Sequence, residues 1–329
     1  MLIDSATVVP GPFLSALEAL LAPLAILRLG GDGGPSAEPR LVLQLLHRAR
    51  PERVVILGPL PDAVRFLHEI HGPILWISPG RDAESARLAH LVTVRSERQR
   101  QNVPAAHVTG DPLLGLESLP ALSDTSLCER FQPLRSRGRW ILYFSATEER
   151  EETEAYASFL KLSRASAGLL ALAPRDPARY EPVYRDAMRF HLTTNRHNRL
   201  LTSLVPPQTR VYYLEDPTAA REMYACADVV VAGGTLITAG PAPEAVLPLS
   251  LGRPMVVGPL ARGPLLEAAR ADGAVCTVDH PDGLDAVLAP LLTVVTERKR
   301  CGNAGKAWIE LQAGSAQRVL ALLSTQVSG

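Results

Sequence analysis

Two glycines at the end of an apolar run are the first place in this chain where chemistry is expected. Val229, Val230 and Val231 run into Gly233 and Gly234, a helical pattern follows, and a second apolar run closes on Gly258-Pro259. A continuous apolar run reads as a parallel strand covered on both faces. Glycines at its carboxyl end let the backbone turn sharply, and the N–H groups beyond them suit a phosphate or a carboxylate. The same glycines also serve a plain strand-to-helix turn, and both readings stand. Arg175 closes a second apolar run, Leu169 to Ala173, at Pro174-Arg175-Asp176-Pro177. An arginine at a strand end offers paired donors to a phosphate. The third place is Ser145-Ala146-Thr147, after the run Ile141 to Phe144. There Thr147 is expected to cap a helix whose first turn carries Glu148, Glu149 and Glu151 as a charged, solvated face.

Other chemistry-bearing residues give weaker signals. Gly30-Gly31-Asp32-Gly33-Gly34-Pro35 lacks a phosphate-loop spacing and reads as a flexible loop. His68 and His71 stand at i,i+3 with no third ligand near, so a surface pair is expected and no metal. Cys128, Cys226, Cys276 and Cys301 lie far apart without a CxxC spacing, which points to neither a disulfide framework nor zinc, and to a reducing cytoplasm. Thirty-four basic and thirty-four acidic residues cancel, so net charge draws the chain to neither nucleic acid nor an anionic membrane. No apolar run approaches the roughly 20 residues that span a bilayer, and no basic leader pattern is read at the start.

These residues need a scaffold, and the pattern around them supplies one. A strand in residues 1–9 and an apolar helix from Phe13 to about Leu29, kinked at Pro23, lead into alternating helices and strands. The helices are Leu41–Arg48, Asp62–Ile70 and Asp82–Leu88; the strands are Val54–Leu57, Ile74–Ile77 and Leu91–Val94. After the loop-rich Pro112 to Arg137, a second series runs through strands at Ile141–Phe144, Leu169–Ala173, Val211–Leu214, Val229–Val231 and Val275–Val278 to one long helix, Ala304 to Leu323. Such alternation predicts an α/β fold with doubly wound parallel sheets in two Rossmann-like domains. The expected boundaries are residues 1–125, a linker at 126–138, and 139–329, with the last helix returning to the first domain.

In that order the chain resembles the Kdo transferases, GT-B glycosyltransferases that move 3-deoxy-D-manno-octulosonic acid from CMP to lipid A precursors. LAPRDPARYEPV (Leu172–Val183) is similar to the family's Pro-Arg-His-Pro-Glu-Arg segment. The stretch from Leu214 through Tyr224 to Gly233-Gly234-Thr235-Leu236 resembles its Gly-Gly-Ser-Leu turn, and LSLGRPMVVGP resembles Ala-Leu-Gly-Lys-Pro-Val with its Gly-Pro ending. In the first half SPGRDAESARL and VPAAHVTGDPL are similar to two further segments. The resemblance implies a GT-B architecture, two domains facing across a cleft, and a CMP-linked nucleotide-sugar donor with no other cofactor. It implies a donor site of Ser145, Thr147, Arg175, Gly233, Gly234, Thr235, Glu244 and Gly258, a lipid or glycan acceptor, and a cytoplasmic place peripheral to the inner membrane.

The departures fall on the chemistry. Pro10 stands where the family carries its general-base Glu, Gly58 and Leu60 stand where it has an acidic pair, and Leu247 stands where a Glu binds the donor, with Glu244 one helical turn earlier. Asp4, Asp32 and Asp62 are the replacement bases the sequence offers, Asp32 first because glycines flank it. The sequence therefore supports a glycosyltransferase with an altered active site; a non-catalytic GT-B protein binding a nucleotide sugar or partner enzyme is the alternative, and a UDP-sugar epimerase ranks third. A transfer assay from CMP-Kdo to a lipid A precursor separates them. Asp32→Asn is expected to lower the rate by about 10²–10⁴-fold if Asp32 is the base. An inactive natural chain that gains activity with Pro10→Glu would mark a frame whose catalysis has been lost.

Overall fold

The computed structural model describes every residue except 1, 5–8, 22–27, 30–43, 45, 46, 49, 52, 61–66, 81, 82, 123, 328 and 329. It divides into two compact units, Met1–Ser118 with Glu310–Gly329, and Leu119–Ile309. The fold is α/β, and each unit is built on an all-parallel sheet.

In the first unit β1 (Leu2–Asp4), β2 (Arg28–Leu29), β3 (Val54–Leu57), β4 (Ile74–Ile77), β5 (Leu91–Val94) and β6 (His107–Val108) stand in the order β2-β1-β3-β4-β5-β6. The middle strands are buried at every position, as continuous apolar runs require when helices cover both faces. One face packs Val54, Ile56 and Trp76, and the other packs Val55, Leu57 and Leu75 against the helix Gly11–Leu21 and the final helix Ser315–Val327. The expected helix from Phe13 to Leu29 is therefore shorter. Its described part is Gly11–Leu21, and Arg28–Leu29 pairs in parallel with Leu2–Ile3, so a helix does not run on to Leu29. The expected helices at Leu41–Arg48 and Asp62–Ile70 lie largely outside the described residues. The single C-terminal helix is two, Val295–Gln312 and Ser315–Val327, separated where Gly314 takes a left-handed φ of 70°.

The second unit holds β7 (Trp140–Thr147), β8 (Gly168–Pro174), β9 (Thr194–Arg196), β10 (Val211–Tyr213), β11 (Val229–Ala232), β12 (Met255–Val257) and β13 (Cys276–Thr277) in the order β13-β12-β11-β7-β8-β10-β9. The chain builds outward from β7 through β8, then returns to lay β11 on the other side, so the direction of winding reverses between β7 and β11. Open parallel sheets bind ligands outside the carboxyl ends of their strands at such a reversal. Alternate residues of β7 feed two cores: Leu142 and Phe144 pack with Tyr156 and Phe159, while Ile141 and Tyr143 pack with Phe131 and Met223.

Two expectations change here. Residues 126–138 do not run as a free linker: Ser126–Phe131 and Gln132–Arg135 are helical turns, and Leu127, Phe131 and Leu134 are buried in the second unit's core. Cys128 is bonded to Cys226 with Cα atoms 5.0 Å apart, whereas Cys276 and Cys301 are free thiols. A pairing across 98 residues leaves no local spacing to read, and it removes the argument the scattered cysteines made for a reducing compartment. Closing so long a loop should stabilise the second unit by about 2–4 kcal/mol. Denaturant unfolding of the natural chain with and without reductant, and of Cys128→Ser/Cys226→Ser, is expected to show that loss; an unmoved midpoint would refute it.

Candidate functional site

At the reversal between β7 and β11 the first element is a carboxylate. Thr147 ends β7, Arg150 takes a left-handed φ of 73°, and the helix Glu151–Leu162 begins, so that Glu151 turns back beneath the Gly-Gly turn. Glu151 has no exposed surface. Its Oε2 accepts from the N–H of Glu148 at 2.9 Å and of Gly234 at 2.7 Å, and its Oε1 from Thr235 at 3.1 Å and Leu236 at 2.9 Å. Four N–H donors leave a buried carboxylate well solvated by protein. Gly233 donates to Ser145 O at 2.7 Å, and a Cβ there would lie 2.3 Å from Ala146 O, so only glycine lets the two strand ends meet this closely. Gly234 takes a φ of 73°.

Much of the expected donor site is engaged within the protein in this arrangement. The N–H groups of Gly233, Gly234 and Thr235 are already bonded within the protein. The Thr235 hydroxyl donates to Ala232 O at 2.5 Å and accepts from Gly258 N at 3.0 Å, which also engages Gly258. Thr147 caps no helix: it is a buried strand residue whose hydroxyl donates to Glu152 Oε1 at 2.7 Å, while Arg179 holds Glu152 Oε2 at 2.6 Å. Of the glutamates expected on a solvated first turn, Glu151 is buried, as is its neighbour Glu152. The expected helix directly after the Gly-Gly turn is absent, and the next one is the short Val246–Ser250. Leu247 is fully buried in it, and Glu244 accepts from Leu247 N at 3.0 Å.

Beside the carboxylate seat, at the carboxyl ends of β7, β8 and β10, lies a pocket of about 260 Å³. Arg175 stands on its wall, with Nε donating to Glu148 Oε1 at 2.7 Å and Nη2 to Pro241 O at 3.2 Å. Nη1 has no hydrogen-bond partner among the described residues. Tyr143, Tyr180 and Tyr224 supply aromatic walls, and Arg221, Asp216 and Glu244 the remaining polar ones. Tyr143 donates to Ala220 O at 2.8 Å and meets Tyr224 edge to face, ring centroids 5.2 Å apart. Burial pushes the Tyr224 hydroxyl up to about 12, against a hydrogen bond from Ser145, so it stays a neutral phenol at ordinary pH. Asp216 caps the helix Pro217–Cys226 through Thr218 N at 3.0 Å, where that helix opens on the pocket. A cation held at a strand end, flanked by rings and by hydroxyl-accepting carboxylates, can hold a ligand that joins an anion to a ring.

Of the expected site residues the structure brings Arg175 and Glu244 to this pocket, while Ser145 lies behind Tyr224. Sequence reading missed Glu151, the three tyrosines, Arg221 and Asp216. Tyr224 and Asp216 stood inside a stretch matched to the family, but nothing local marked them as walls. Asp32 and Asp62 lie outside the described residues, Asp4 lies in β1, and Pro10 stands at the start of the helix Gly11–Leu21, its carbonyl accepting from Leu14 N at 3.0 Å. Among the described residues no group of three or more His, Cys, Asp or Glu gathers as metal ligands, and no helix is long and apolar enough to cross a membrane.

Removing the Glu151 carboxylate leaves four buried donors bare. Glu151→Ala should cost at least about 3 kcal/mol and Glu151→Gln part of that, since each buried unpaired group costs roughly 1–3 kcal/mol. Glu149→Gln, on the exposed side of the turn, should stay within about 0.5 kcal/mol. Thermal and denaturant unfolding of the three variants decides it.

No family model and no curated protein sequence matches this chain. Solved structures do. The C-terminal CMP-Kdo binding domain of WaaA from Acinetobacter baumannii is similar over 56% of this chain and 95% of its own, at 17% identity and a TM-score of 0.51. That likeness shows a shared fold. HepE from Anabaena, solved with UDP, covers 98% of this chain and 99% of its own at 13% identity and a TM-score of 0.41. The trehalose-6-phosphate synthase of Burkholderia multivorans covers 88% of this chain and 74% of its own at 12% identity and a TM-score of 0.40.

Proposed function

With the fold of a CMP-Kdo binding domain as the premise, we propose that the second unit binds the nucleotide of a sugar nucleotide in the tyrosine-lined pocket, and that the chain is a glycosyltransferase of Kdo-transferase type. It would move a sugar acid from a CMP-linked donor to a lipid A precursor or related glycan. The observation that carries the reading is Arg175: its guanidinium is fixed by Glu148 and Pro241 O at a strand end on the pocket wall, and one nitrogen remains to grip phosphate. A phosphate held there leaves the tyrosine rings for the base and Asp216 and Glu244 for hydroxyl groups of a ribose or sugar.

A second reading, a binding protein without transfer activity, is favoured by a different observation. Leu247, at the position of the family's donor-binding Glu, has no exposed surface, and the turn donors that a donor phosphate would use belong to Glu151. Both readings require nucleotide binding where the second binds a nucleotide sugar and not a partner enzyme, and only the first requires turnover.

Thermal stabilisation measured across CMP, CMP-Kdo, UDP and UDP-sugars tests the common part, because a ligand that binds only the folded state raises its stability with concentration. Arg175→Ala should weaken binding of the stabilising nucleotide by about 1.5–3 kcal/mol, roughly 10- to 150-fold. Unaltered affinity in that variant would remove Arg175 from the site.

A further inference from the structure

Arg196, the last residue of β9, does not line the pocket, yet its side chain joins the pocket's two walls. Its Nε donates to Glu215 Oε2 at 2.9 Å and its Nη2 to Glu215 Oε1, a two-pronged pair, while Nη1 donates to Glu181 Oε2 at 2.8 Å. The guanidinium also lies over the Tyr184 ring, 4.6 Å from its centroid. Glu215 immediately precedes Asp216 and Pro217, which form one wall; Glu181 immediately follows Tyr180, which forms the other. The Tyr213 hydroxyl donates to Tyr180 O at 2.8 Å, tying the second wall to β10 as well.

The two walls come from separate parts of the chain. Tyr180 begins the helix after β8, and Asp216 begins the helix after β10. Arg196 and Glu215 side chains are each only 8% exposed, so both ions gave up most of their hydration. A buried pair of this kind adds little net stability compared with apolar residues of the same size, and what it supplies is a fixed geometry. The planar fork admits one mutual orientation of arginine and carboxylate, and a third nitrogen reaching Glu181 carries that orientation to the other wall.

We propose that Arg196 is a positioning residue that sets the spacing between the Tyr180 wall and the Asp216 wall, and through it the pocket's affinity for nucleotide. The proposal rests on the nucleotide reading of the same pocket. Lysine in its place supplies one point charge and no fork, so it holds one wall at a time.

The test uses the full chain. Arg196→Met/Glu215→Gln removes both buried charges together, so no buried ion is stranded, and the half-exposed Glu181 keeps Arg185; Arg196→Lys tests the fork, and Arg189→Met, on an exposed pair, is the control. CMP and UDP are titrated by calorimetry, and backbone hydrogen exchange of the free protein is followed at residues 180–184 and 215–220. The expected result is a 10-fold or greater loss of affinity in the double variant, a smaller loss in Arg196→Lys, and faster exchange in both segments while β7 and β8 stay protected. Affinity within twofold of the natural chain in a folded double variant overturns the proposal, as does loosening of only one segment. If the natural chain binds neither CMP nor UDP, the nucleotide reading falls by itself. The exchange data then decide the coupling: both segments loosening upholds it, and either segment staying closed overturns it.

Discussion

A carboxylate seated under a glycine turn is the constraint on which the second unit depends. Glu151 brings four backbone donors to one point, from the turn before its own helix and from the turn after β11. Those donors lie at the reversal of the sheet, where two strand ends part and leave N–H groups with no ladder to join. A ligand phosphate is one way to satisfy them. This chain uses its own side chain, which holds the two strand ends together. The glycines follow from the same demand: at 233 a side chain would strike Ala146, and at 258 it would strike Thr235.

With the turn donors engaged by Glu151, the charged groups that the neighbouring pocket offers are side chains. Arg175 is held by two acceptors before any ligand arrives, so little rotamer freedom remains to be lost on binding. The tyrosines are similarly braced, Tyr143 by Ala220 O and Tyr224 by the Tyr143 ring. Behind those walls the Arg196 fork joins the Tyr180 side to the Asp216 side without lining the pocket itself.

Strands were the most legible part of the sequence, because a strand buried on both faces must be apolar throughout. Val54–Leu57, Ile74–Ile77 and Leu91–Val94 were read to the residue for that reason. β9 was missed, since Thr194-Asn195-Arg196 has no apolar run; a sheet-edge strand needs none. Arg175 was legible as a cation at a strand end. Thr147 misled because a threonine before acidic residues matches a helix cap, whereas the chain extends β7 to include it and starts the helix later. Glu151 misled in the same place: a glutamate in a first helical turn is ordinarily solvated, and only the return of β11 from some 80 residues away buries it. Cys128 and Cys226 belong to the same class of fact, fixed by tertiary proximity that no local pattern encodes.

The make-up of the first unit bears on the order in which the chain acquires structure. Its core joins Phe13, Leu17 and Leu21, which precede the second unit in the chain, to Val319 and Leu323, which follow it. The second unit is one uninterrupted segment, from Leu119 to Ile309. During vectorial synthesis the usual sequence, amino-terminal domain first, is thus inverted. The segment Leu119–Ile309 can reach its native state on the ribosome, and the apolar helix Gly11–Leu21 must wait, uncovered, until translation has delivered Ser315–Val327.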